Sequence, residues 1–563
     1  MRFPFIWVFL LVSGSVAAQS TYLPLNTNGY QYLDRLQIKT GQLATGLHTS
    51  LKPWSRREIA AYAESYNSIS PGISSVDRFN LYYLFKENNE WSPTGEIDSK
   101  KPILKHFYRS PSDLYELRTN EFLLKINPVL NQQYMNEMGN PDADPFTIWP
   151  MNVNTRGLEV RGMINKKVGF YTYFTDNQAF YPKYVQQRID SFKAVPGEGF
   201  YKDLVDSNKK TGVDHLTARG YIALNATKNI SMAFGYDKHF IGNGIRSLLL
   251  SDFSNSNLFL RINTNIWKIN YQNLFTELTE QEFSRGADTL LSKKYGSFHH
   301  LSMNVAKWLN IGIFESIIYS RKGHIELQYL NPIILFRLVE HNLGSPDNVI
   351  VGVDWNALFL KHFAFYGQLM LDEFLFSAIK SGSGWWANKY GLQLGVKYVD
   401  VAGVSNLDMQ GEANLVRPYS YTHRGKGNAN YSHYNQPLAH PLGANFYEVL
   451  GITNYQPHPK INIQGRLGVY IIGRDTTGTN WGGDILTDYG SREMDFGNRI
   501  AQGLRSNILF AELWLTYQWK HNIFFDLKFG ERRERSTITR FERKAAFLTV
   551  AFRTNIADRR FDF

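Results

Sequence analysis

The sequence contains no cysteine, which excludes disulfide bridges, lipid attachment at a cysteine and cysteine nucleophiles. Beyond the N-terminal region it has no run of about 18 apolar residues, so no membrane-spanning helix is predicted. The enzyme signatures G-x-S-x-G and H-E-x-x-H are absent, and so is a glycine-rich phosphate-binding loop. These absences predict a protein that is not an enzyme and that carries no cofactor or metal.

The N-terminal residues predict a secretory signal over positions 1–18. Arg2 precedes an apolar core from Phe3 to Val12, and small residues at 16–18 stand before Gln19 as a cleavage site. We therefore expect an exported protein of a bacterial envelope. Its net charge of +11 over 563 residues allows contact with anionic lipid or acidic polysaccharide. No basic cluster lies on a nucleic-acid-binding motif, so nucleic acid is not an expected partner.

Aromatic residues make up 15% of the chain, with 33 Tyr and 38 Phe, which favours strands and suits the aromatic girdles of outer-membrane barrels. The stretch from Tyr236 to Leu278 shows the underlying pattern. Residues 258–263 alternate between an apolar face and a face that carries Arg261, and residues 267–272 alternate again after a short turn. Eighteen segments of this kind recur between residues 117 and 556, each long enough to cross an outer membrane.

The connections between these segments fall into two classes. Short links usually combine Lys with Asn, His or Trp, as at 165–167, 227–229, 307–308, 361–362, 458–460 and 520–521. Long loops occur at 177–213, 238–256, 278–294, 320–346, 417–444 and 474–502. Short turns at one end and long loops at the other are typical of bacterial outer-membrane barrels, whose short turns lie in the periplasm. Residues 116–563 are therefore predicted to form an all-β membrane barrel of about 18 antiparallel transmembrane strands in the outer membrane.

Residues 19–115 differ from the barrel segment. Helical spacing predicts short helices at 30–38 and 76–88, and a third that starts at Ser55 with Glu58 as its capping box. The stretch from Trp91 to Ser112 is rich in Pro, Ser and Lys and predicts a linker. Because an even number of strands leaves both termini on one side, we expect this small helical element in the periplasm.

Two of the long loops are too apolar for ordinary surface loops. Loop 238–256 contains Leu248–Leu250, and loop 320–346 is apolar over much of its length. An empty eighteen-stranded barrel would enclose an aqueous channel, and burial inside it would shelter both loops from water. We predict that both fold inward as a plug, with Asn331-Pro332 starting a short helix from Ile333 to His341. An exposed patch that binds a partner is the alternative.

Five stretches of the chain resemble a known family, and they occur in the family's order between residues 52 and 446. They are KPWSRREI (52–59), FGYDKHFIGNGIRSLLLSD (234–252), SRKGHIELQYLNPIILFRLVEHNLGSPDNVIVGVD (320–354), YGQLMLDEF (366–374) and YSHYNQPLAHPLGANF (431–446). They resemble the Wzi capsule-assembly outer-membrane barrels and the related barrels associated with gliding motility in Bacteroidetes-type bacteria. The resemblance implies an eighteen-stranded barrel with a periplasmic helical bundle. It also implies that the protein holds or assembles surface polysaccharide as a lectin, without catalysis.

Charged residues cluster in these motifs, and we predict that they form a polar network in the plug. One interpretation is a site that grips sugar hydroxyls and acidic groups. The other, which burial favours, is mutual pairing of charges that fixes the plug. Asp372 and Glu373 are neighbours on an alternating strand, so only one can face the lumen, and the resemblance implies Asp372. The predicted network residues are Asp237, Lys238, His239, Arg246, Asp252, Arg321, His324, Glu326, Arg337, Glu340 and Asp372.

Loop 417–444 is rich in Tyr, His and Asn, which makes it a candidate glycan contact. Aromatic faces stack on sugar rings, and amide and imidazole groups bond to sugar hydroxyls. The candidate residues are Tyr419, Tyr421, His423, Tyr431, His433, Tyr434 and His440. An ordinary extracellular loop would have a similar composition, so that alternative stays open. The spacing of the three histidines matches no common metal-binding pattern.

Three smaller features complete the pattern. Asp142 and Asp144 could bind Ca²⁺, but their surroundings fall short of an EF-hand. Loop 531–543, ERRERSTITRFER, is predicted to face lipopolysaccharide phosphates or acidic glycan. The terminal Phe563 resembles the aromatic insertion signal of outer-membrane proteins, although the residues after Asn555 extend beyond the last alternating segment.

The leading functional hypothesis is an outer-membrane barrel that binds, anchors or helps to assemble surface polysaccharide such as capsule. A component of gliding-motility or cell-surface adhesion machinery is one alternative, and a diffusion channel is another. The expected partners are surface polysaccharide, outer-membrane lipid with lipopolysaccharide, and other envelope proteins. Capsule retention, motility and single-channel conductance distinguish the three hypotheses.

Overall fold

The computed structural model describes residues 19–44, 46–69, 73–92, 112–138, 151–205, 211–282, 290–321, 324–333, 335–344, 347–425, 429–538, 542–557 and 559–563. The predicted signal, most of the predicted linker, and Asp142 with Asp144 lie outside these residues. None of the helices in the described ranges has the length and apolar character needed to cross a membrane.

Eighteen strands in the described part of the chain form a closed antiparallel barrel, in which neighbours follow chain order and the last strand pairs with the first. They are β1 Phe122–Met138, β2 Met151–Ile164, β3 Val168–Ala179, β4 Thr211–Asn225, β5 Ile230–Asp237, β6 Asn257–Ile266, β7 Ile269–Thr279, β8 Lys293–Ala306, β9 Leu309–Tyr319, β10 Asn348–Phe359, β11 Phe363–Glu373, β12 Lys389–Tyr398, β13 Leu407–Val416, β14 Phe446–His458, β15 Ile461–Arg474, β16 Leu504–Lys520, β17 Ile523–Ser536 and β18 Arg543–Thr554. Two short strands, Tyr115–Arg118 and Lys202–Val205, pair with β1 and β4.

The alternation of the sequence sets the two faces of the barrel wall. On β6, Leu258 points outward and is 38% exposed, whereas Phe259 points into the lumen and is 3% exposed. Residues paired across neighbouring strands point to the same face of the wall, and Arg261 lies opposite the buried Leu274 of β7 on the luminal face. The prediction of about 18 antiparallel strands is confirmed.

The first strand begins later than the sequence pattern predicts. A single strand was expected from residue 117 to 133, but a turn at 119–121 divides it. Leu117 pairs back onto Leu124 of β1, and the Thr119 hydroxyl accepts a hydrogen bond from the Phe122 N–H at 3.0 Å. Alternation continues on both sides of this turn, so the polar Thr-Asn pair is the only local signal of the reversal.

The connections sort by length between the two ends of the barrel, which we call the turn end and the loop end. At the turn end, the β2–β3 link uses Asn165 and Lys166 at φ of 50° and 56°, and the β10–β11 link uses Leu360 and Lys361 at 52° and 57°. Two consecutive positive φ angles are the signature of a type I′ turn, whose twist matches that of the flanking strands.

The N-terminal region forms a helical unit of three helices, α1 Asn28–Thr40, α2 Arg56–Ile69 and α3 Ser75–Glu87. Its own core includes Leu33, Trp54 and Leu84, each at most 1% exposed. The Ser74 hydroxyl caps α3 by accepting a hydrogen bond from the Asp77 N–H at 3.0 Å. The unit therefore has a hydrophobic core of its own, separate from that of the lumen.

A buried ion-pair network docks the helical unit on the turn end of the barrel. Arg35 of α1 bonds to Asp77 of α3 at 2.7 Å and to Asp400, in the β12–β13 turn, also at 2.7 Å. Lys39 approaches the second carboxylate oxygen of Asp77 at 2.7 Å. Burial opposes ionisation of Asp77, but Arg35 and Lys39 outweigh it and hold the pKa of Asp77 below its ordinary value.

Asp77→Asn is expected to loosen the helical unit at neutral pH, because Arg35 loses one of its carboxylate partners. A carboxyl whose pKa is lowered on folding stabilises the fold above the ordinary Asp pKa, and this contribution is lost as the pH falls below about 4. Hydrogen–deuterium exchange should show that protection of α1 and α3 falls through this range in the wild type. The variant should already show reduced protection at pH 7. Glu64→Gln, at an exposed position of α2, is the control; wild-type protection in the Asp77 variant would contradict the prediction.

Loop 320–346 does not enter the lumen, so the prediction of an inward fold is wrong for this loop. Its described residues 324–333 and 335–344, which we call the outer flap, lie against the outer face of the wall. Phe336 stacks on the ring of His299 with centroids 4.0 Å apart, and the Arg337 N–H donates to Glu315 at 3.1 Å. His299 of β8 and Glu315 of β9 face each other at outward positions of neighbouring strands.

The outer flap replaces lipid over a polar part of the wall. Four apolar side chains of the flap are between 58% and 85% exposed and do not pack on the wall, namely Leu327, Ile333, Leu335 and Leu338. The polar wall residues beneath it are buried, including Asn273 at 2% exposure. The helix of the flap is α5 Phe336–Asn342, which begins three residues later than predicted. Two further helices lie in other loops, α4 Lys183–Phe192 between β3 and β4 and α6 Phe376–Lys380 between β11 and β12.

Candidate functional site

Loop 238–256 fills the lumen from the loop end, as the sequence predicts. Leu248, Leu249 and Leu250 are at most 4% exposed and belong to the largest hydrophobic cluster of the lumen. Residues 240–241 form a two-stranded sheet with residues 51–52 of the N-terminal region. A segment that enters from the turn end and a loop that enters from the loop end therefore meet inside the barrel.

Wall side chains satisfy the backbone of this loop. The side-chain oxygen of Gln368 accepts the Leu248 N–H at 2.7 Å. Glu412 accepts two more backbone donors, the Ile245 N–H at 2.6 Å and the Arg246 N–H at 3.0 Å. A buried loop without such partners would carry costly unsatisfied groups, so these inward side chains hold the plug in place.

Arg246 is the hub of the charged network in the lumen. Its guanidinium approaches Glu448 at 3.3 Å and the Asp562 carboxylate at 3.2 Å. His440 bonds to the other oxygen of Glu448 at 2.6 Å, and Arg466 approaches Asp562 at 2.6 Å. Loop 238–256, the wall and the C-terminal tail are joined through these four contacts.

The C-terminal tail, residues 555–557 and 559–563, turns back into the lumen after β18. Arg559 pairs with Glu198 at 3.2 Å, and the Phe563 ring is 6% exposed beneath the guanidinium of Arg188. The expected aromatic end of the last strand is therefore not Phe563, because β18 ends at Thr554. Sequence reasoning missed this part of the plug, since a short charged tail carries no signal of inward folding.

A cavity of about 230 Å³ remains between the tail, loop 238–256 and the helical unit. Its lining combines aromatic rings such as Tyr171 with charges of both signs, including Arg219, Lys238, Glu198 and Asp252. Cationic and anionic side chains therefore line the same cavity, where they can compensate one another's charge.

The predicted polar network is divided between two separate places. Six of its residues lie in the lumen: Asp237, Lys238, His239, Arg246, Asp252 and Asp372. The other five lie in the outer flap or at its base: Arg321, His324, Glu326, Arg337 and Glu340. This corrects the expectation of one network, because the barrel wall separates the two groups.

Five of the six luminal members are bonded to protein partners, and the buried ring of His239 packs edge-on against Phe259 with centroids 4.5 Å apart. The Lys238 ammonium donates to the Asp252 carbonyl at 3.1 Å, and Asp372 accepts the Tyr421 N–H at 2.8 Å. The Asp372 side chain is 2% exposed and that of Glu373 is 44% exposed, so alternation points Asp372 inward. These contacts match the interpretation that the charges fix the plug.

Most of the candidate glycan contacts of loop 417–444 are part of the plug. Five are at most 2% exposed, namely Tyr419, Tyr421, Tyr431, His433 and His440. The Tyr421 hydroxyl donates to the Leu248 carbonyl at 2.7 Å, and the Tyr431 hydroxyl donates to the Leu249 carbonyl at 2.5 Å. Side chains buried to this extent cannot contact a glycan, which corrects the expectation for these five; of the seven, only His423 and Tyr434 are partly exposed.

The three histidines of this loop have separate partners. His433 accepts the Thr279 N–H at 2.9 Å, His440 bonds to Glu448, and His423 lies near Tyr489 with ring centroids 6.0 Å apart. Burial lowers the pKa of His423, which favours its neutral form at pH 7. Within the described ranges, no group of three or more His, Asp or Glu side chains is arranged to hold a metal ion.

An aromatic surface lies at the loop end, where two loops that are distant in sequence meet. Trp386 and Tyr489 pack with centroids 4.8 Å apart, and the Arg492 guanidinium lies 4.3 Å from the centroid of Trp386. Trp385 lies beside Trp386 at 6.4 Å. All four residues are partly exposed. We call Trp385, Trp386, Tyr489, Arg492 and the neighbouring His423 the aromatic platform.

Hydrogen bonds to backbone carbonyls connect the loops that carry the platform. The guanidinium of Arg417 donates to the carbonyls of Asn388, Trp385 and Asn498 at 3.1, 3.2 and 3.2 Å. The Trp386 N–H donates to the Asp495 carbonyl at 2.9 Å. Sequence reasoning missed every platform residue except His423, although the Gly-flanked pair of tryptophans in GSGWWANK is a local signal.

Comparisons with protein-family models and with curated proteins find no match. Solved structures do match. One is Wzi, an outer membrane protein involved in group 1 capsule assembly in Escherichia coli and a carbohydrate-binding β-barrel. It is 13% identical, covers 96% of this chain and 100% of its own, and gives a TM-score of 0.55. The chain has the fold of Wzi. The predicted resemblance is confirmed at the level of fold.

Outer-membrane barrels of Pseudomonas aeruginosa also match, over less of the chain than Wzi does. OccK8 (OprE) is 11% identical over 76% of this chain and 97% of its own, with a TM-score of 0.40. OpdK, solved with vanillate, is 9% identical over 77% and 98%, with a TM-score of 0.43. Neither similarity supports an argument about function. The Wzi match, at 13% identity over 96% of this chain, shows the fold.

Proposed function

We propose that this protein is an outer-membrane barrel that binds surface polysaccharide without catalysis, with its loop end outside the cell and its helical unit in the periplasm. The observation that carries the proposal is the aromatic platform at the loop end. Partly exposed Trp and Tyr rings stack on the apolar faces of sugars, and Arg492 beside them suits acidic sugar groups. The Wzi fold supports the same function, since Wzi is a carbohydrate-binding barrel.

The filled lumen supports a binding role over a diffusion channel. Loop 238–256, loop 417–444 and the C-terminal tail occupy the space that an eighteen-stranded barrel encloses. Loop 417–444 also contacts the platform. The ring centroids of Tyr419 and Trp386 are 6.4 Å apart, and the Tyr419 hydroxyl donates to the Asn480 carbonyl at 2.9 Å. We propose that the plug has a second role as the foundation of the binding surface.

Trp386→Ala is expected to weaken the protein's binding of surface polysaccharide purified from its own cell by about tenfold or more, because the variant lacks the central stacking ring of the platform. Isothermal titration calorimetry with the detergent-solubilised protein measures this change. Trp267→Ala is the matched control, since Trp267 is 78% exposed in a turn at the opposite end of the barrel. That control should bind as the wild type does.

Equal binding by the Trp386 variant and the wild type would place the glycan site elsewhere and contradict the proposal. A deletion strain provides the cellular test of the same idea. Loss of retained capsule supports a role in polysaccharide anchoring. Normal capsule together with a defect in surface motility would instead favour the adhesion or gliding alternative.

A further inference from the structure

Four cationic side chains point outward from the loop end of β16, β17 and β18. They are Arg505, Arg533, Arg535 and Lys544, and we call them the basic patch. All four are exposed, with side-chain exposures of 48% for Arg533 and 69% for Lys544. Their immediate strand neighbours Ser506, Glu534 and Ala545 are buried on the luminal side.

Strand register brings these cations together. Arg533 faces Lys544 across β17 and β18, and it faces Leu509 across β16 and β17. Arg535 faces Asn507, two positions from Arg505 on the same face of β16. Directly opposed side chains on neighbouring strands are about 5 Å apart at Cβ. Three strands therefore contribute to one continuous positive surface.

The protein neutralises this surface only in part. Glu531 pairs with Arg533 at 2.6 Å and approaches Lys544 at 3.8 Å. Glu534 is directed inward, where it bonds to Arg474 at 2.6 Å and to Arg532 at 2.9 Å. No ion pair of Arg505 or Arg535 is formed among the residues that the structure describes. Among the ion pairs that the structure describes, Glu531 is the one carboxylate that pairs with any of the four cations, and the exposed Glu542 lies two positions from Lys544. Opposed like charges are unfavourable without a counter-anion.

The basic patch lies at the height of a bilayer headgroup layer. Below it on β17, the outward residues Phe525, Leu527 and Phe529 are 45–48% exposed and form part of the apolar band. Arg533 is ten residues from the start of β17 at Ile523, which corresponds to about 25 Å along the membrane normal for a strand tilted by about 40°. An apolar band of a transmembrane barrel is about 25 Å tall.

We propose that the basic patch binds the phosphate groups of the phosphorylated glycolipid that forms the outer leaflet. The apolar band below would contact the acyl chains of the same molecule, and the guanidinium groups would grip its phosphates in bidentate fashion. Because the cations face outward beside the apolar band, their ligand is a lipid and not a soluble glycan above the loops. The inference depends on the outer-membrane placement and is independent of polysaccharide binding at the aromatic platform.

The test is a binding titration of the full-length protein in detergent with diphosphorylated lipid A, with dephosphorylated lipid A and with inorganic phosphate. The patch variant replaces Arg505, Arg533, Arg535 and Lys544 with Gln. A control variant replaces Lys166, Lys228, Lys268 and Lys307 with Gln, which removes the same charge from exposed positions at the turn end. Wild type and control should bind diphosphorylated lipid A at least about tenfold more tightly than the patch variant does.

The other probes identify the source of the phosphate. Dephosphorylated lipid A should bind the wild type about tenfold more weakly, and millimolar inorganic phosphate should fail to compete with the lipid. Equal lipid A affinity in the wild type and the patch variant would overturn the inference, and so would full competition by inorganic phosphate. If the patch variant lost polysaccharide binding and kept lipid A binding, the basic patch would be a glycan site and the inference would fail. A Trp386→Ala protein with normal lipid A binding would leave the inference intact even if the proposed function failed.

Discussion

Replacing residues 240–252 with a short Gly-Ser linker is expected to convert the closed barrel into an ion-conducting channel. This segment contains Leu248–Leu250, which pack at the centre of the lumen, and it pairs with residues 51–52 of the N-terminal region. Tyr421 and Tyr431 bond to its carbonyls, so the neighbouring loop loses its anchor as well. An unplugged eighteen-stranded barrel encloses an aqueous channel. Planar-bilayer recordings should show conductance steps that the wild type lacks.

The outer flap offers a matched control of the same length. Deleting residues 327–339 removes an apolar loop segment from the outside of the wall, so conductance should stay at the wild-type level. Anomalous migration of unheated samples in SDS gels verifies that each variant has formed a barrel. A folded plug variant without conductance would show that the remaining loops close the lumen, which contradicts the prediction. A conducting flap variant would contradict the placement of the flap.

Arg246→Ala is expected to destabilise the barrel by about 3–5 kcal/mol, because removing one partner of a buried ion pair leaves uncompensated charge. Glu448 is fully buried and Asp562 is 4% exposed, and both lose their contact with the guanidinium. Urea-induced unfolding of protein refolded into lipid vesicles, followed by tryptophan fluorescence, measures the free energy of unfolding. The lost contacts join the plug, the wall and the tail, so this single change affects three parts of the molecule.

The control for this variant is Arg118→Ala. Arg118 pairs with Glu116 at 2.9 Å beside the turn at 119–121, at the turn end of the barrel, and its side chain is 53% exposed. An exposed pair of this kind contributes about 0–1 kcal/mol. A destabilisation of Arg246→Ala that is no larger than that of Arg118→Ala would show that the luminal network is not structurally important.

The barrel wall was predictable from local pattern. Strand residues alternate between lipid and lumen, so Leu258 and Phe259 carry their orientation in their sequence neighbours. Turn residues such as Asn165 and Lys166 also act locally, because positive φ angles close a two-residue hairpin wherever it stands. Both signals need only adjacent residues.

The positions of the loops were not predictable in the same way. A membrane barrel has two places that shelter apolar side chains from water, the packed lumen and the surrounding bilayer. Leu248 in the lumen and Leu338 on the outer flap therefore satisfy the same requirement at opposite sides of the wall. Hydrophobicity identifies both loops as unusual without indicating which side each one takes.

The loop end shows the complementary case for polar residues. Tyr421 and Tyr431 are of a residue type that is common on sugar-binding surfaces. In the structure their hydroxyls instead donate to backbone carbonyls of loop 238–256 inside the lumen. Trp386 and Tyr489 form the aromatic platform although about a hundred residues separate them, because two loops meet above the barrel. Their adjacency depends on loop packing, which no short sequence window contains.

The sequence by itself determined the barrel, its strand number and the sorting of its connections, because alternation and turn formation are set by neighbouring residues. Tertiary structure alone decided which loops close the lumen, which loop covers the outer wall, and that the tail after Thr554 completes the plug. It also decided that four cations from three strands share one outward face. These arrangements depend on contacts between distant segments, and the free energy of those contacts appears only when the closed wall exists to support them.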